Sequence, residues 1–119
     1  MTLRELPHDV EVNARQMDPF EGTAYRMLER LGGGDVAEVF AVEHRRLSMR
    51  YAAKLLRATF SSDSRTVERF RLEADALAKL EHENVVSLHA YDETPQGVPF
   101  IVMELLEGQT LEELLDQQR

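Results

Sequence analysis

Cysteine and tryptophan are both absent from this 119-residue chain. Without cysteine there is no disulfide framework, no thiolate zinc site and no Cys nucleophile. Such a composition fits a reducing compartment, and a cytoplasmic location is expected. No run approaches about 18 consecutive apolar residues, so no membrane segment is expected. Residues 1–24 carry Arg4, Glu5, Asp9, Glu11, Arg15, Asp18 and Glu21 and contain no long apolar run, and a secretory leader is therefore not expected either. Positive charge is scarce: 14 Lys and Arg stand against 22 Asp and Glu, a net charge of −8. That balance argues against nucleic acid or an anionic membrane surface as partner. The 43% hydrophobic content is too high for a disordered chain. The length suits one domain, whose core buries roughly two-thirds of the unfolded surface.

Glycine and proline are few, 6 and 4, so their positions mark the organisation clearly. Pro7, Pro19 and Gly22 interrupt a stretch with no sustained period, and residues 1–24 read as an N-terminal extension. A domain over residues 25–119 follows. Tyr25–Leu31 leads into Gly32-Gly33-Gly34-Asp35, and Val36–Val42 continues with β-branched and aromatic residues, a hairpin pattern. His44–Ser48 is a polar turn, and Tyr51–Leu56 makes a third short strand. Val85–Tyr91 and Val98–Met103, separated by the turn Thr94-Pro95-Gln96-Gly97, read as a fourth and fifth. Thr110 opens a last helical piece with Leu111, Leu114 and Leu115 on one face. The expected fold is α+β: a five-stranded antiparallel sheet with one main helix packed on it.

That helix is expected to start among Ser61-Ser62-Asp63-Ser64, which offers several N-caps, and to reach about Leu80. At about 100° per residue, Val67, Phe70, Ala74, Leu77 and Leu80 form one apolar stripe, with Lys79 and Glu68 opposite. Glu73 falls inside the stripe, between Leu77 and Leu80. A carboxylate aimed at a core needs a counter-charge. Lys54 sits on the third strand and shares a face with Ala52 and Leu56. A lysine so placed often only snorkels to water, but it is the obvious partner for Glu73. The triple glycine, alone no more than a turn, lets a backbone approach phosphate oxygens and present N–H groups to them.

These residues resemble a known family. Leu31-Gly32-Gly33-Gly34-Asp35-Val36-Ala37-Glu38-Val39 is similar to the protein-kinase glycine-rich loop, and Ala52-Ala53-Lys54 to the end of the V-A-I-K strand. Phe70-Arg71-Leu72-Glu73 resembles the start of the kinase C-helix motif. His82-Glu83-Asn84-Val85-Val86 resembles H-P-N-I-V, and Ile101–Gly108 resembles the gatekeeper and hinge. Order and spacing match from Tyr25 to Arg119, with the character of bacterial serine/threonine kinases. The resemblance implies an ATP site in a kinase small lobe. Leu31, Gly32, Gly33 and Gly34 would form the loop over the phosphates, and Val39 and Ala52 would cover the adenine. Lys54 would bind the α- and β-phosphates, held by Glu73. Met103 would be the gatekeeper, and backbone groups of Glu104 and Leu106 would meet the adenine edge. Ala37 stands where the third glycine is usual, which implies altered loop mobility rather than lost binding.

None of H-R-D-x-x-x-x-N, D-F-G or A-P-E occurs in the 119 residues. Phosphoryl transfer needs their aspartates and asparagine for the hydroxyl proton and for magnesium. No metal site is therefore expected in this chain; magnesium would enter only with a large lobe. The expectation is an ATP-binding small lobe of a serine/threonine protein kinase, inactive as it stands. Its partners would be the large lobe or another protein, with self-association if the apolar face toward that lobe is uncovered. The alternative is a non-catalytic, kinase-like interaction module.

Overall fold

The computed structural model describes residues 17–79 and 86–105. Five strands form one antiparallel sheet: β1 Tyr25–Gly33, β2 Ala37–His44, β3 Arg50–Leu56, β4 Val86–Glu93 and β5 Pro99–Leu105, in spatial order β1-β2-β3-β5-β4. Helix α1, Ser64–Ala78, lies in the crossover between β3 and β4 after a single 3-10 turn at Ala58–Phe60. The expected α+β architecture is therefore the observed one. The helical piece expected after Thr110, Leu80 of the apolar stripe and the His82–Val85 motif lie outside the described residues.

The sheet is buried on both faces, and side chains alternate between two clusters. Ala37, Val39, Ala41, Ala52, Leu56, Ile101 and Met103 pack on the helix side with Phe70 and Ala74. Phe40, Val42, Tyr51, Ala53, Leu55, Phe100 and Val102 pack on the other. Strands covered on both faces have no reason to alternate apolar with polar residues, and β3 and β5 accordingly read as nearly continuous apolar runs. β1 slips register twice against β2, at Met27/Glu29 and at Arg30/Gly32. The residue left over at each slip is a leucine, Leu28 or Leu31, and both pack on the helix-side cluster. The bulges thus turn two extra apolar side chains toward the face where α1 sits. A similar slip in β4 leaves over His89, which stacks on Tyr51 at a centroid distance of 4.2 Å.

Cross-strand charges reinforce the far end of the sheet. Arg26, Glu43 and Arg50 stand opposite one another on β1, β2 and β3. Glu43 Oε1 accepts from Arg26 at 2.6 Å, and its Oε2 lies 3.8 Å from Arg50. Opposite charges directly across a ladder favour this register over its neighbours.

The second face is closed by the segment before β1. Phe20 is fully buried there, edge-on to Phe40 at 5.6 Å and to Phe100 at 5.2 Å. Three anchors hold the segment. Asp18 accepts from the Phe20 and Met27 amides at 2.8 and 3.0 Å. Arg45, in the β2–β3 turn, donates to the carbonyls of Thr23 and Phe20. Gly22, at φ +86°, lies so close to Pro95 that a Cβ would come within 2.6 Å of the proline ring. Residues 18–24, which carry no strand or helix pattern in the sequence, are thus fixed to both the sheet and the β4–β5 turn.

Helix α1 begins at Asp63, whose side chain accepts from the amides of Arg65 and Thr66. Of the several caps the sequence offered, this is the one used. On the solvent side, Arg71 bridges Glu68 and Asp75 one turn apart in each direction. Phe70 and Ala74 are buried, and Phe70 meets Tyr91 of β4.

Two outcomes test this description. Phe20→Ala is expected to cost about 3–5 kcal/mol in urea unfolding, because a filled aromatic site becomes a cavity. Met17→Ala, at an exposed position, is expected to cost almost nothing. The Asp63 carboxyl is held below its ordinary value by hydrogen bonds from Thr66, side chain first, and from the Arg65 amide. Its contribution is complete above the ordinary carboxylate value and is lost as pH falls through the lower folded one. Asp63→Asn keeps a capping oxygen that does not titrate. This variant is expected to flatten the acid limb of the stability–pH curve below about pH 5, followed by circular dichroism.

Candidate functional site

The β1–β2 hairpin, β3 and α1 from Thr66 to Glu73 border a cavity of about 610 Å³. Its volume is within the range of ordinary small-molecule sites, about 300–1,000 Å³. Leu31, Gly32, Gly33, Gly34, Val39, Lys54 and Glu73, all expected from the sequence, line it. So do Arg30, Asp35, Val36 and Ala37 of the hairpin and Thr66, Arg69 and Phe70 of α1.

The roof is the hairpin. Gly33 pairs with Glu38, and the Gly34 amide donates to the Ala37 carbonyl at 2.9 Å, leaving Asp35 and Val36 at the tip. Gly33 has φ +140°, and a Cβ there would lie 2.7 Å from both the Ala37 oxygen and the Glu38 Cα. Both neighbours are backbone and have nowhere to move. At Gly34 a Cβ would meet nothing within 4 Å. Of Gly33 and Gly34, the first is therefore the one whose place cannot take a side chain. Ala37, in the place of a glycine, is buried in the first position of β2.

The floor is β3. Lys54 stands between Val39 of β2 and Ile101 of β5, on the helix-side face. Its ammonium donates to Glu73 Oε1 at 2.7 Å, and the two side chains retain 14% and 35% of their exposure. The helical wheel and the strand alternation each aimed one of these charges at the core, and the fold brings them together. The pair is only partly buried, so each charge keeps some water while losing enough to need its partner. Three cations (Arg30, Lys54 and Arg69) and two carboxylates (Asp35 and Glu73) line the cavity. The local excess is positive in a chain whose net charge is −8, which suits an anionic ligand with phosphate-like oxygens.

Other expected residues lie beside this cavity and not on its lining. Ala52 and Met103 are fully buried and paired across β3 and β5, in the same cluster as the cavity-lining Val39. Glu104, the next residue of β5, is exposed. Leu106 lies outside the described residues. Arg30, Thr66 and Arg69 were not singled out from the sequence. Arg69 carried a usable signal, being one helical turn before Glu73 and so on the same side of α1. Arg30 carried none, because the register slip beside it is not visible in the pattern of residues.

Comparison with known proteins bears on this geometry. The protein kinase domain family profile matches residues 25–119. The chain is 37% identical over 91 residues to the serine/threonine-protein kinase PrkC of Bacillus subtilis, covering 76% of this chain and 14% of that protein. It is 36% identical over 95 residues to PknA of Mycobacterium tuberculosis, covering 76% and 22%. It is 37% identical over 97 residues to Pkn1 of Myxococcus xanthus, covering 79% and 14%. It thus spans less than a quarter of the length of these relatives. Among solved structures, a PknI kinase domain of Mycobacterium tuberculosis superposes with a TM-score of 0.56 at 23% identity, over 81% of this chain and 37% of that one. A second PknI kinase domain structure gives 0.54 at 26%, over 70% and 33%.

The difference between the glycines is directly testable. Gly33→Ala is expected to destabilise the protein by more than about 1 kcal/mol in thermal melts, since its backbone cannot accept a Cβ without strain. Gly34→Ala is expected to stay within about 0.5 kcal/mol of the parent.

Proposed function

This chain belongs to the protein kinase domain family and has the fold of its amino-terminal lobe, and from that premise we propose that it is the ATP-gripping half of a serine/threonine protein kinase. The observation that carries the reading is the Lys54–Glu73 ion pair, 2.7 Å long, on the floor of a cavity roofed by a glycine hairpin. A lysine fixed by a carboxylate is a positioned cation, and a glycine hairpin supplies backbone at close range. Together they suit the phosphates of a nucleoside triphosphate. Leu31, Gly32, Gly33 and Gly34 are assigned to the phosphate roof, Lys54 to the α- and β-phosphates, and Glu73 to holding Lys54. Val39, Ala52 and Met103 are assigned to the adenine side, with the backbone of Glu104 and Leu106 at the adenine edge.

The phosphate end of the nucleotide fits the described cavity, which has the volume, the excess positive charge and the close-approach backbone. When bound, ATP supplies the phosphoryl group. What these residues do is bind and orient it. Because the 119 residues contain neither the catalytic aspartate nor the metal-binding motifs of the family, we assign them no phosphoryl transfer by themselves. Transfer to protein hydroxyls, and the magnesium ions it requires, belong to the lobe joined with a large lobe. One lobe gives a ligand about half the enclosure of a full cleft, so the affinity of the isolated chain is set at about millimolar, near −4 kcal/mol.

Titration of the 119-residue chain with ATP, followed by amide NMR shifts, tests this. Shifts at Gly32–Ala37, Lys54 and Glu104 with a dissociation constant of about 1 mM are expected, weakened at least about tenfold in Lys54→Ala. No shift at several times that concentration would remove the nucleotide-binding reading and favour a kinase-like module that docks on a protein partner. In a chain extended by a large lobe, Lys54→Met is expected to abolish protein phosphorylation while the fold survives. Retained activity would refute the role given to Lys54.

A further inference from the structure

The tip of the glycine hairpin is fastened by a residue that does not line the cavity. Arg57, which follows β3, donates its backbone N–H to the Val36 carbonyl at 2.8 Å and its Nε–H to the Gly34 carbonyl at 3.0 Å. Its Nη1 lies 3.3 Å from Glu38 Oε1, while Glu38 Oε2 accepts from Arg30 Nε at 2.7 Å. One residue thus holds two carbonyls of the tip and one carboxylate at its base.

Packing does not do this work. Gly34, Asp35 and Val36 are exposed, and the space around a Gly34 Cβ is open. A glycine-rich tip loses more conformational entropy on ordering than other sequences do, so something else must fix it. The planar guanidinium suits the task because it aims its Nε–H at the Gly34 carbonyl while its charge lies beside the Glu38 carboxylate. The Gly34–Asp35 peptide is trans, so its C=O and N–H point in opposite directions. Fixing the Gly34 carbonyl therefore also fixes where the Asp35 amide points.

We propose that Arg57 is a positioning residue that latches the glycine-hairpin tip from outside the cavity, and so sets how the tip amides are presented to a phosphate. Its effect on ligand affinity rests on the nucleotide-binding reading above, whereas its effect on tip order does not. Glu38 is the anchor that keeps the guanidinium in place, and Arg30 secures Glu38 from β1. The latch ties the end of β3 to the tip of the hairpin three residues beyond Lys54, so floor and roof of the cavity are joined by one short stretch of chain.

The experiment compares the full 119-residue chain with Arg57→Gln, Arg57→Lys and Glu38→Gln by 15N relaxation and by ATP titration. In the parent chain the order parameters at Asp35 and Val36 are expected to be near those of rigid backbone, about 0.8. In Arg57→Gln they are expected to fall below about 0.6, with unchanged amide shifts at Leu55 and Leu56 showing that β3 is intact. Arg57→Lys keeps the charge near Glu38 but lacks the fork, and is expected to leave the tip loose. Glu38→Gln is expected to give an intermediate loss. ATP binding by Arg57→Gln is expected to weaken about five- to tenfold, the scale of one ordinary net hydrogen bond. Tip order unchanged in Arg57→Gln, or fully kept in Arg57→Lys, would overturn the latch. A loosened tip with unaltered ATP affinity would overturn its positioning role. A parent chain that binds no ATP would count against the nucleotide reading alone, since the order parameters still decide whether the latch exists.

Discussion

Lys54 stands in the middle of a five-stranded sheet, between β2 and β5, with 14% of its side chain exposed, and its ammonium must therefore be met by an anion from another element. Among the described residues, α1 is the element that packs over that face and brings an anion to it, so the rotation of the helix is constrained. Phe70 and Ala74 must enter the core, and with them inside, Glu73 is carried to the edge of the buried stripe, 2.7 Å from the lysine. The start of the helix at Asp63 and the crossover from β3 are consistent with that one rotation. A helix turned by one residue would bury different side chains and leave both charges unmatched.

The cavity follows from the same arrangement. α1 covers the helix-side face beneath the hairpin, and the strands β1 and β2 run past it as a roof. Two bulges let β1 turn Leu28 and Leu31 toward that face. The hairpin closes through Gly33, whose backbone conformation and contact with Ala37 and Glu38 exclude a side chain. Flexibility and order are thus distributed unevenly in the roof: sterically required glycine at its shoulder, open glycine at its tip, and an arginine outside to hold that tip.

Much of this was legible in the residues. Hairpin, strands, main helix and turns follow from glycine position, β-branched and aromatic runs and the helical stripe. The Lys54–Glu73 pair follows from two separate periodicities, one of strand and one of helix. The segment around Phe20 was not legible. Its anchors are a carboxylate, a turn arginine and a glycine against Pro95, all distant in sequence and none periodic. The fully covered second face was hidden for a related reason. A strand buried on both sides shows no alternation, so the apolar runs of β3 and β5 do not say that two separate clusters lie behind them.

The sequence by itself determined the class of fold, the glycine hairpin, the charged pair on facing elements and the family, because each depends on local residue type at short, regular spacing. Tertiary structure decided that Gly33 excludes a side chain where Gly34 does not, which cap starts α1, and which residues line the cavity. It also decided that Arg30 and Arg69 add to its positive charge while Ala52 and Met103 are sealed in the core beside it. The physical reason is that register slips, left-handed backbone and side chains reaching across turns depend on what lies opposite in space, and no period along the chain records that.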